Sequence, residues 1–508
     1  MNKRYVLQIA CAVLMLFNAC KKIEEPETGE PAVEAPAPLA ITGTNWVNDF
    51  YPNVNYFSIN TAAYDTNEGS TIMQTDAAGN IYTIGNFFQT MDADPGPGTA
   101  KLTAANGPGL FLTKYNSSGV YQWGKVIESA AGNSGFSGSY TPAIVPALPL
   151  DKSGNVYITS RFFGTISFGG NNTLTAKRLD AANVEQRTNT AFLAKYNTDG
   201  SLEWSKVIND QSSVSPIGRD ITSRDLALDA SGNIYLMGKF AGDLKFTRAD
   251  GFSYSFGSSN ANQAIVMQTY LVKYDNAGNV LWASVPVSSR FNSRNIAVDK
   301  NNDVIMGGFL VAPYSYTDLG GTLRYTNQNF NAELDAIIKV DHTAGRVAWI
   351  NSATVGSSTA ASGKYNRLTI DSQGNIYFID QTSLKKLGTD GAEIWSKSFN
   401  APNPNNVPVQ AGSMPNSGSQ IGQYTLTLNA NNDVFITGPF FTTIDLGGSV
   451  LTGTSAVNMF ITKYTAGGAH VWSKKFSGPT AADSIDPFAI NTDGNGNINI
   501  LGDYKFSN

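Results

Sequence analysis

Apolar and polar residues alternate in short runs along most of the chain, and turns rich in Asp, Asn and Gly cut these runs at regular intervals. One turn phrase recurs seven times: 76–82 (DAAGNIY), 151–157 (DKSGNVY), 229–235 (DASGNIY), 299–305 (DKNNDVI), 371–377 (DSQGNIY), 429–435 (NANNDVF) and 493–499 (DGNGNIN), about 70 residues apart on average. Period-two alternation flanking such a turn predicts a β-hairpin. Asp or Asn opens the turn, and Gly or Asn accepts its left-handed backbone. A second phrase, FLTKY at 111–115, is echoed at 192–196, 270–274, 336–340, 383–387 and 460–464. Nine residues separate its Lys from a Trp: Lys114 from Trp123, Lys195 from Trp204, Lys273 from Trp282, Lys386 from Trp395 and Lys463 from Trp472. Lys339 and Trp349 are ten apart.

Each unit therefore carries two hairpins and four antiparallel strands: A enters the Asp turn, B leaves it, C carries the Lys and D carries the Trp. One such sheet cannot bury both its faces, whereas a ring of them can. The expected fold is all-β, a seven-bladed β-propeller of four-stranded blades. The last unit stops after strands A and B, while the seventh Trp, Trp46, lies ahead of the first unit. Residues 45–51 are expected to complete the last blade, closing the ring by pairing N- and C-terminal strands, with 39–42 as its strand C. The short A–B and C–D turns then share one rim. The long connections, such as 171–190, 247–268, 312–331 and 400–423, would form the opposite, variable rim.

The GNIY-type turns, the Lys-to-Trp hairpins and the phrases ISFGG (166–170), TDLGG (317–321) and IDLGG (444–448) together resemble the seven-bladed β-propeller repeat (SBBP) family over roughly 39–508. The Gly-turn-Trp hairpin is also similar to the tryptophan-docking repeats of quinoprotein propellers. The SBBP resemblance implies a secreted or surface bacterial propeller with no uniform activity.

The N-terminus reads as an address. Lys3 and Arg4 precede an apolar run ending Asn18-Ala19-Cys20, which resembles a bacterial lipoprotein signal with Cys20 as the lipidated residue. The expected division is a signal peptide at 1–19, a tether at 20–38 and the propeller at 39–508. The stretch after Cys20, KKIEEPETGEPAVEAPAP, lacks aromatics and is an extended tether. An acidic tract so placed resembles the surface-export signal of Bacteroidetes lipoproteins. The localisation expected is the outer membrane, exposed at the cell surface, with membrane contact through the lipid alone.

Composition narrows the functions. Charged residues make up 15% of the 508, against about 25% in an average globular domain. The net charge of −5 excludes a broadly basic nucleic-acid binder. Two Cys and two His leave little room for a disulfide framework, a multi-His metal site or a His-based triad, and no cofactor or metal is expected. His342 and His470 fall on the repeat scaffold. The motif DGNGN at 493–497 reads as the seventh hairpin turn rather than a calcium loop. The repeated lysines are read as blunting an outer sheet edge and laying their stems on aromatics.

Near the starts of the A strands, Arg224 and Arg294 lie five residues before the turn Asp, Arg367 four before, and Tyr424 five before Asn429; Tyr365 is close by. These five are the candidate ligand-binding residues, since Arg suits bidentate recognition of carboxylate or sulfate. The alternative is local pairing with Asp220 and Asp225. Three functions follow: a monomeric surface module binding a glycan or protein, a polysaccharide lyase or hydrolase with a funnel active site, or a structural accessory subunit of an outer-membrane complex.

Overall fold

A computed structural model describes residues 3–8 and 71–505, apart from 95–97, 131–147, 180–184, 188, 210–219, 258–266, 288–290, 312–313, 326–332, 355–366, 380–382, 400–423, 479 and 495. Cys20, the tether, Trp46 and Tyr365 lie outside the described residues. The described chain is all-β.

The hairpins form where the alternation places them. Unit 1 runs Thr71–Thr75, Ile81–Asp92, Lys101–Tyr115 and Tyr121–Ser129, each antiparallel to the next. In unit 2, Val156–Phe163, Asn189–Tyr196 and Leu202–Val207 follow a short bridge at Leu150. Unit 3 comprises Asp220–Leu228, Ile234–Ala241, Gln268–Tyr274 and Val280–Ser284. Unit 4 comprises Phe291–Val298, Val304–Val311, Glu333–Val340 and Val347–Thr354. Unit 5 has Arg367–Ile370, Ile376–Ile379, Ser383–Leu387 and Glu393–Ser398. Unit 6 has Thr425–Leu428, Val434–Phe440, Asn458–Tyr464 and His470–Phe476. Unit 7 has strands A and B, Ser484–Thr492 and Ile498–Lys505, and a third strand from the other end of the chain, Lys3–Gln8. The strand seen against Ile498–Lys505 thus comes from the segment read as leader, not from 45–51.

The A–B turns close as the Asp phrase requires. Asp229 Oδ1 accepts the amides of Ser231 and Asn233, and its Oδ2 accepts the Asn233 side chain. The turn's inward-facing donors are satisfied within seven residues, so the hairpin forms without outside help. Two units use Asn in place of Gly at the left-handed position: Asn302 at φ 69° and Asn432 at φ 62°. The DGNGN segment makes the same bonds, Asp493 to Asn497.

Across each of the six complete units, an aromatic or Ile on B, the Lys on C and the Trp on D stand directly opposite one another, as in Tyr235, Lys273 and Trp282. The Lys sits over the B-strand ring, 4.8 Å from the Tyr235 centroid, and the ring meets the Trp edge-on. The Lys also reaches the turn carboxylate: Lys339 Nζ lies 2.7 Å from Asp299, and Lys386 Nζ 3.2 Å from Asp371. This corrects the reading of these lysines as edge residues. Strand C is third of four, so its Lys is flanked by strands on both sides: Lys195, Lys273, Lys339 and Lys386 are buried, and Lys114 and Lys463 half-buried. In units 3, 4 and 5 its charge faces the Asp that builds the turn, whereas Lys195 pairs with Glu203 and Lys463 with Asp433.

The core lies between units. Seven apolar clusters each join neighbouring units, from Tyr82 and Leu112 against Val156 and Phe192, around to Leu501 of unit 7 against Met73 and Phe87 of unit 1. Each fully buried large side chain contributes about 1.5–3 kcal/mol, and one face of every sheet depends on the next unit for that gain. The described inner strands of units 3 to 7 neighbour one another in order, and unit 7 meets unit 1 through Asn491 Nδ2, which donates to the Met73 carbonyl at 2.8 Å.

The Trp residues of units 1 to 5 each clasp the next unit. A Cβ added at Gly200, Gly278, Gly345, Gly391 or Gly468 would lie only 2.6–3.1 Å from the preceding unit's Trp ring. These turn glycines therefore admit the indole. In four of these the indole N–H also donates to the same turn, as Trp123 to Thr198 O at 3.0 Å and Trp282 to His342 O at 2.8 Å; the Trp204 N–H is buried without a partner.

The B–C connections differ from the expected variable rim. Where described, they fold into two-stranded ribbons: Thr165–Ser167 with Thr173–Thr175, Leu244–Thr247 with Ser253–Phe256, Ser315–Thr317 with Leu323–Tyr325, and Thr443–Ile444 with Leu451–Thr452. The first pairs with strand D of unit 1; the second and third bridge strand D of their own units at Val280 and Val347. They clothe outer edges that would otherwise present unpaired backbone groups. The ISFGG, TDLGG and IDLGG phrases are the first strands and tips of these ribbons.

Candidate functional site

The inner strands of units 3, 4 and 5 carry the arginines. In units 3 and 4 the register slips, between Ser223 and Asp225 and between Ser293 and Asn295. Arg224 and Arg294 are the extra residues of two β-bulges at equivalent positions. A bulge re-aims a side chain out of the alternation, and that is why these arginines interrupt otherwise regular strands. Arg367 begins the inner strand of unit 5.

Asp225 follows the first bulge and is 4% exposed. Its Oδ1 accepts the amide of Leu226 at 2.9 Å, and its Oδ2 accepts the amide of Ile296, in the next unit, at 2.6 Å. Burial pushes its carboxyl up to about 7, against the opposing pull of those two amides and of Arg367. Burial lowers the Arg367 pKa while Asp225 acts to raise it. Desolvation exceeds the compensation on both groups. The two residues belong to units 3 and 5, so their interaction runs past the inner strand of unit 4. Arg367, two units away, is the arginine whose charge acts on Asp225, while the Asp225 oxygens bond to the amides of Leu226 and Ile296.

The other predicted residues separate. The Arg294 guanidinium lies over the Phe309 ring, 5.7 Å from its centroid, on strand B of its own unit. Tyr424 is not part of the cluster. Its ring packs between Phe399 and Phe460, with centroids 5.8 and 5.1 Å away, and burial raises its pKa. It sits where Gly438 leaves room on strand B, so it serves the unit 6 core. Sequence reasoning set Asp225 aside as a mere counter-charge; its Oδ2 bond to Ile296 makes it a link between units. The histidines bond locally, His342 Nδ1 to Asp303 at 2.9 Å and His470 Nε2 to Ser473 at 2.7 Å. A cavity of about 180 Å³ lies away from the axis, between units 5 and 6, lined by Lys397, Leu446, Tyr464 and His470 among others. Among the described residues no group of three or more His, Cys, Asp or Glu is arranged to hold a metal ion.

No protein-family model matches the chain. It is 24% identical over 238 residues to an uncharacterised WD repeat-containing protein of Acanthamoeba polyphaga mimivirus, a match covering 43% of this chain and 16% of that protein. Among solved structures it is similar to a luciferin-regenerating enzyme (11% identity, TM-score 0.32, 72% of this chain and 82% of the other). It is also similar to a gluconolactonase from Xanthomonas campestris (11%, 0.25, 69% and 89%) and to the calcium-binding protein regucalcin from Agrobacterium tumefaciens (12%, 0.28, 72% and 80%). These relatives are β-propeller-like proteins.

Proposed function

We propose that this chain is a seven-bladed β-propeller, closed between its seventh and first units, of the SBBP type, and that it serves as a lipid-anchored binding module at the bacterial surface. Its ligand is an acidic glycan or other carboxylate- or sulfate-bearing molecule, held by Arg224, Arg294 and Arg367 on the inner strands of units 3, 4 and 5. The observation that supports this is the pair of equivalent β-bulges that carry Arg224 and Arg294 on neighbouring inner strands, with the Arg367 charge acting on Asp225 beside the first. Guanidinium groups on neighbouring inner strands of a protein of net negative charge create a local positive field. The lipid on Cys20 and the 20–38 tether would present the ring beyond the outer membrane.

The lyase or hydrolase alternative needs a carboxylate free to exchange protons with substrate. Both oxygens of Asp225 already accept backbone amides, which favours binding over catalysis. The test is a panel of acidic and neutral glycans presented to the parent and to the double variant Arg224→Ala, Arg294→Ala. The parent is expected to retain acidic members at low salt, with binding weakened by added salt and lost in the variant. Equal retention by both proteins sinks the reading. Release of reducing ends or unsaturated products by the parent would establish the enzyme instead.

A further inference from the structure

Where strand D begins, its first residue stands opposite the last residue of strand C. Tyr121, Leu202, Val280 and Val347 hold that place in units 1 to 4, and Glu393 in unit 5. Unit 6 puts His470 there, opposite Tyr464. The imidazole meets the Tyr464 ring edge-on, with centroids 5.6 Å apart, and a Cβ on Gly448 of the ribbon tip would collide with it. Its tautomer follows from a chain of hydroxyls. Thr462 Oγ1 donates to the Trp472 carbonyl at 3.1 Å, so it accepts from Ser473 Oγ at 2.8 Å. Ser473 has then spent its hydroxyl proton and accepts from His470, 2.7 Å away, so Nε2 carries the ring hydrogen. Burial lowers the His470 pKa against the pull of Asp445, which keeps the ring neutral at neutral pH. Nδ1 retains its lone pair, and no described residue donates to it.

Unit 5 supplies a second group. Lys397 lies two residues beyond Trp395, as Lys206 lies two beyond Trp204, and each stem crosses the glycine of the next unit's C–D turn, Gly468 and Gly278. Lys206 Nζ donates to Ala277 O at 3.0 Å and to Gly278 O at 2.7 Å. Lys397 is half-buried, and its Nζ bonds to no described carbonyl or carboxylate. Lys397 and His470 both line the cavity of about 180 Å³ between units 5 and 6, with Leu446 and Tyr464 among its other walls. At about 30 Å³ per water, that is the room of about six waters, enough for a small organic acid.

We propose that this cavity binds a small hydroxy acid, whose carboxylate is met by Lys397 Nζ and whose hydroxyl donates to His470 Nδ1. The pairing uses each group for what it has to give. An ammonium offers donors only, and an imidazole protonated at Nε2 offers an acceptor at its other nitrogen. Both contacts gain strength where the cavity walls exclude water. An anion without a hydroxyl satisfies the lysine alone, and a neutral alcohol the histidine alone. The site is separate from the arginine-bearing inner strands and stands whether or not they hold a ligand.

The full chain with isotope-labelled histidine tests it. The sequence has only two histidines, and His470→Val, which supplies the residue that units 3 and 4 carry at this place, assigns their signals. Long-range proton–nitrogen correlation at neutral pH is expected to show His470 protonated at Nε2. Titration with lactate, glycerate or malate should move its Nδ1 signal saturably, and acetate and glycerol should bind about tenfold more weakly or worse. By calorimetry, His470→Val and Lys397→Asn, the latter copying Asn351 of unit 4, should each weaken hydroxy-acid binding about tenfold. Lys206→Asn, at the equivalent lysine spent on its turn, should leave it unchanged. The proposal is overturned if none of the three acids moves the His470 signal at tens of millimolar, or if the hydrogen sits on Nδ1. Acetate binding as tightly as lactate would reduce the site to one for any anion and overturn the hydroxyl contact. Equal binding by the parent and both variants, at unchanged circular dichroism, would place the acid elsewhere and overturn the site.

Discussion

Replacing Lys339 by Met tests whether the repeated lysines hold the turns together. Lys339 is 7% exposed, and its Nζ lies 2.7 Å from Asp299 Oδ2 and 3.2 Å from Asp303 Oδ2. Asp299 is itself buried, its Oδ1 occupied by the amides of Asn301 and Asp303. Methionine keeps the stem but leaves that carboxylate without its cation. Breaking a buried pair from one side costs about 3–5 kcal/mol. The Asp299 turn retains its amide bonds, so the lower end, about 3 kcal/mol, is expected. At about 1.4 kcal/mol per tenfold, opening of this turn should become roughly a hundredfold more frequent. Hydrogen exchange at the Asn301 and Asp303 amides reads this directly. The two carboxylates also raise the Lys339 pKa in spite of its burial. Their contribution is therefore complete below the unfolded lysine's pKa and fades as alkaline pH rises through the folded one. The parent turn should loosen at high pH, and the Met variant should show no such dependence. Adding Asp299→Asn should return part of the loss, because the stranded charge goes with it. Unchanged exchange in Lys339→Met would refute the reasoning and return the lysines to solvent.

Gly345→Ala forces a Cβ to 2.6 Å from the Trp282 ring at φ 69°, whereas Gly251→Ala, at φ 86°, meets nothing within 4 Å. The second should cost only the left-handed backbone penalty of about 1–2 kcal/mol, and thermal melts should place the first clearly lower; equal melts would dismiss the clasp. For Asp225, a folded pKa raised to about 7 means its contribution is complete below about pH 4 and is lost as pH rises to 7. Asp225→Asn, which keeps the neutral form, should flatten stability between those limits, as chemical denaturation at a series of pH values will record. Cys20→Ser should move the protein from the membrane pellet to the soluble fraction, and persistent pelleting would rule out the lipid anchor.

What could be foreseen divides by range. The Asp turns and the Lys–Trp register are set within ten residues, so their chemistry is visible in the string itself. Tyr235, Lys273 and Trp282 stand opposite one another as the spacing required. Errors arose where the outcome depends on which strand neighbours which. Lys195 and its equivalents looked like edge residues because sequence does not say that C is an interior strand. Residues 247–268 looked like a protruding loop, since nothing local announces that Leu244–Thr247 and Ser253–Phe256 fold back on strand D. Tyr424 sat at the same offset as Arg224 and Arg294, but its phenyl ring found Phe399 and Phe460, and packing overrode position. The bulges that displace Arg224 and Arg294 lie in strands whose composition is unremarked by any turn residue. Asp225 appeared a counter-charge because Ile296, whose amide it accepts, lies 71 residues away.

The Trp clasp runs one way only, units 1 to 5 each giving an indole forward to the next unit. Such an array is a head-to-tail polymer with unlike ends, one a donor and one an acceptor, and each end fits the other on any molecule carrying the same array. An interface of that heterologous kind grows into filaments unless its rotation closes. A chain caught before its last contact is made is thus a monomer primed for concatenation with its siblings. When the two ends meet within one chain, as Asn491 meets Met73, they are spent on each other and no longer offered to a sibling.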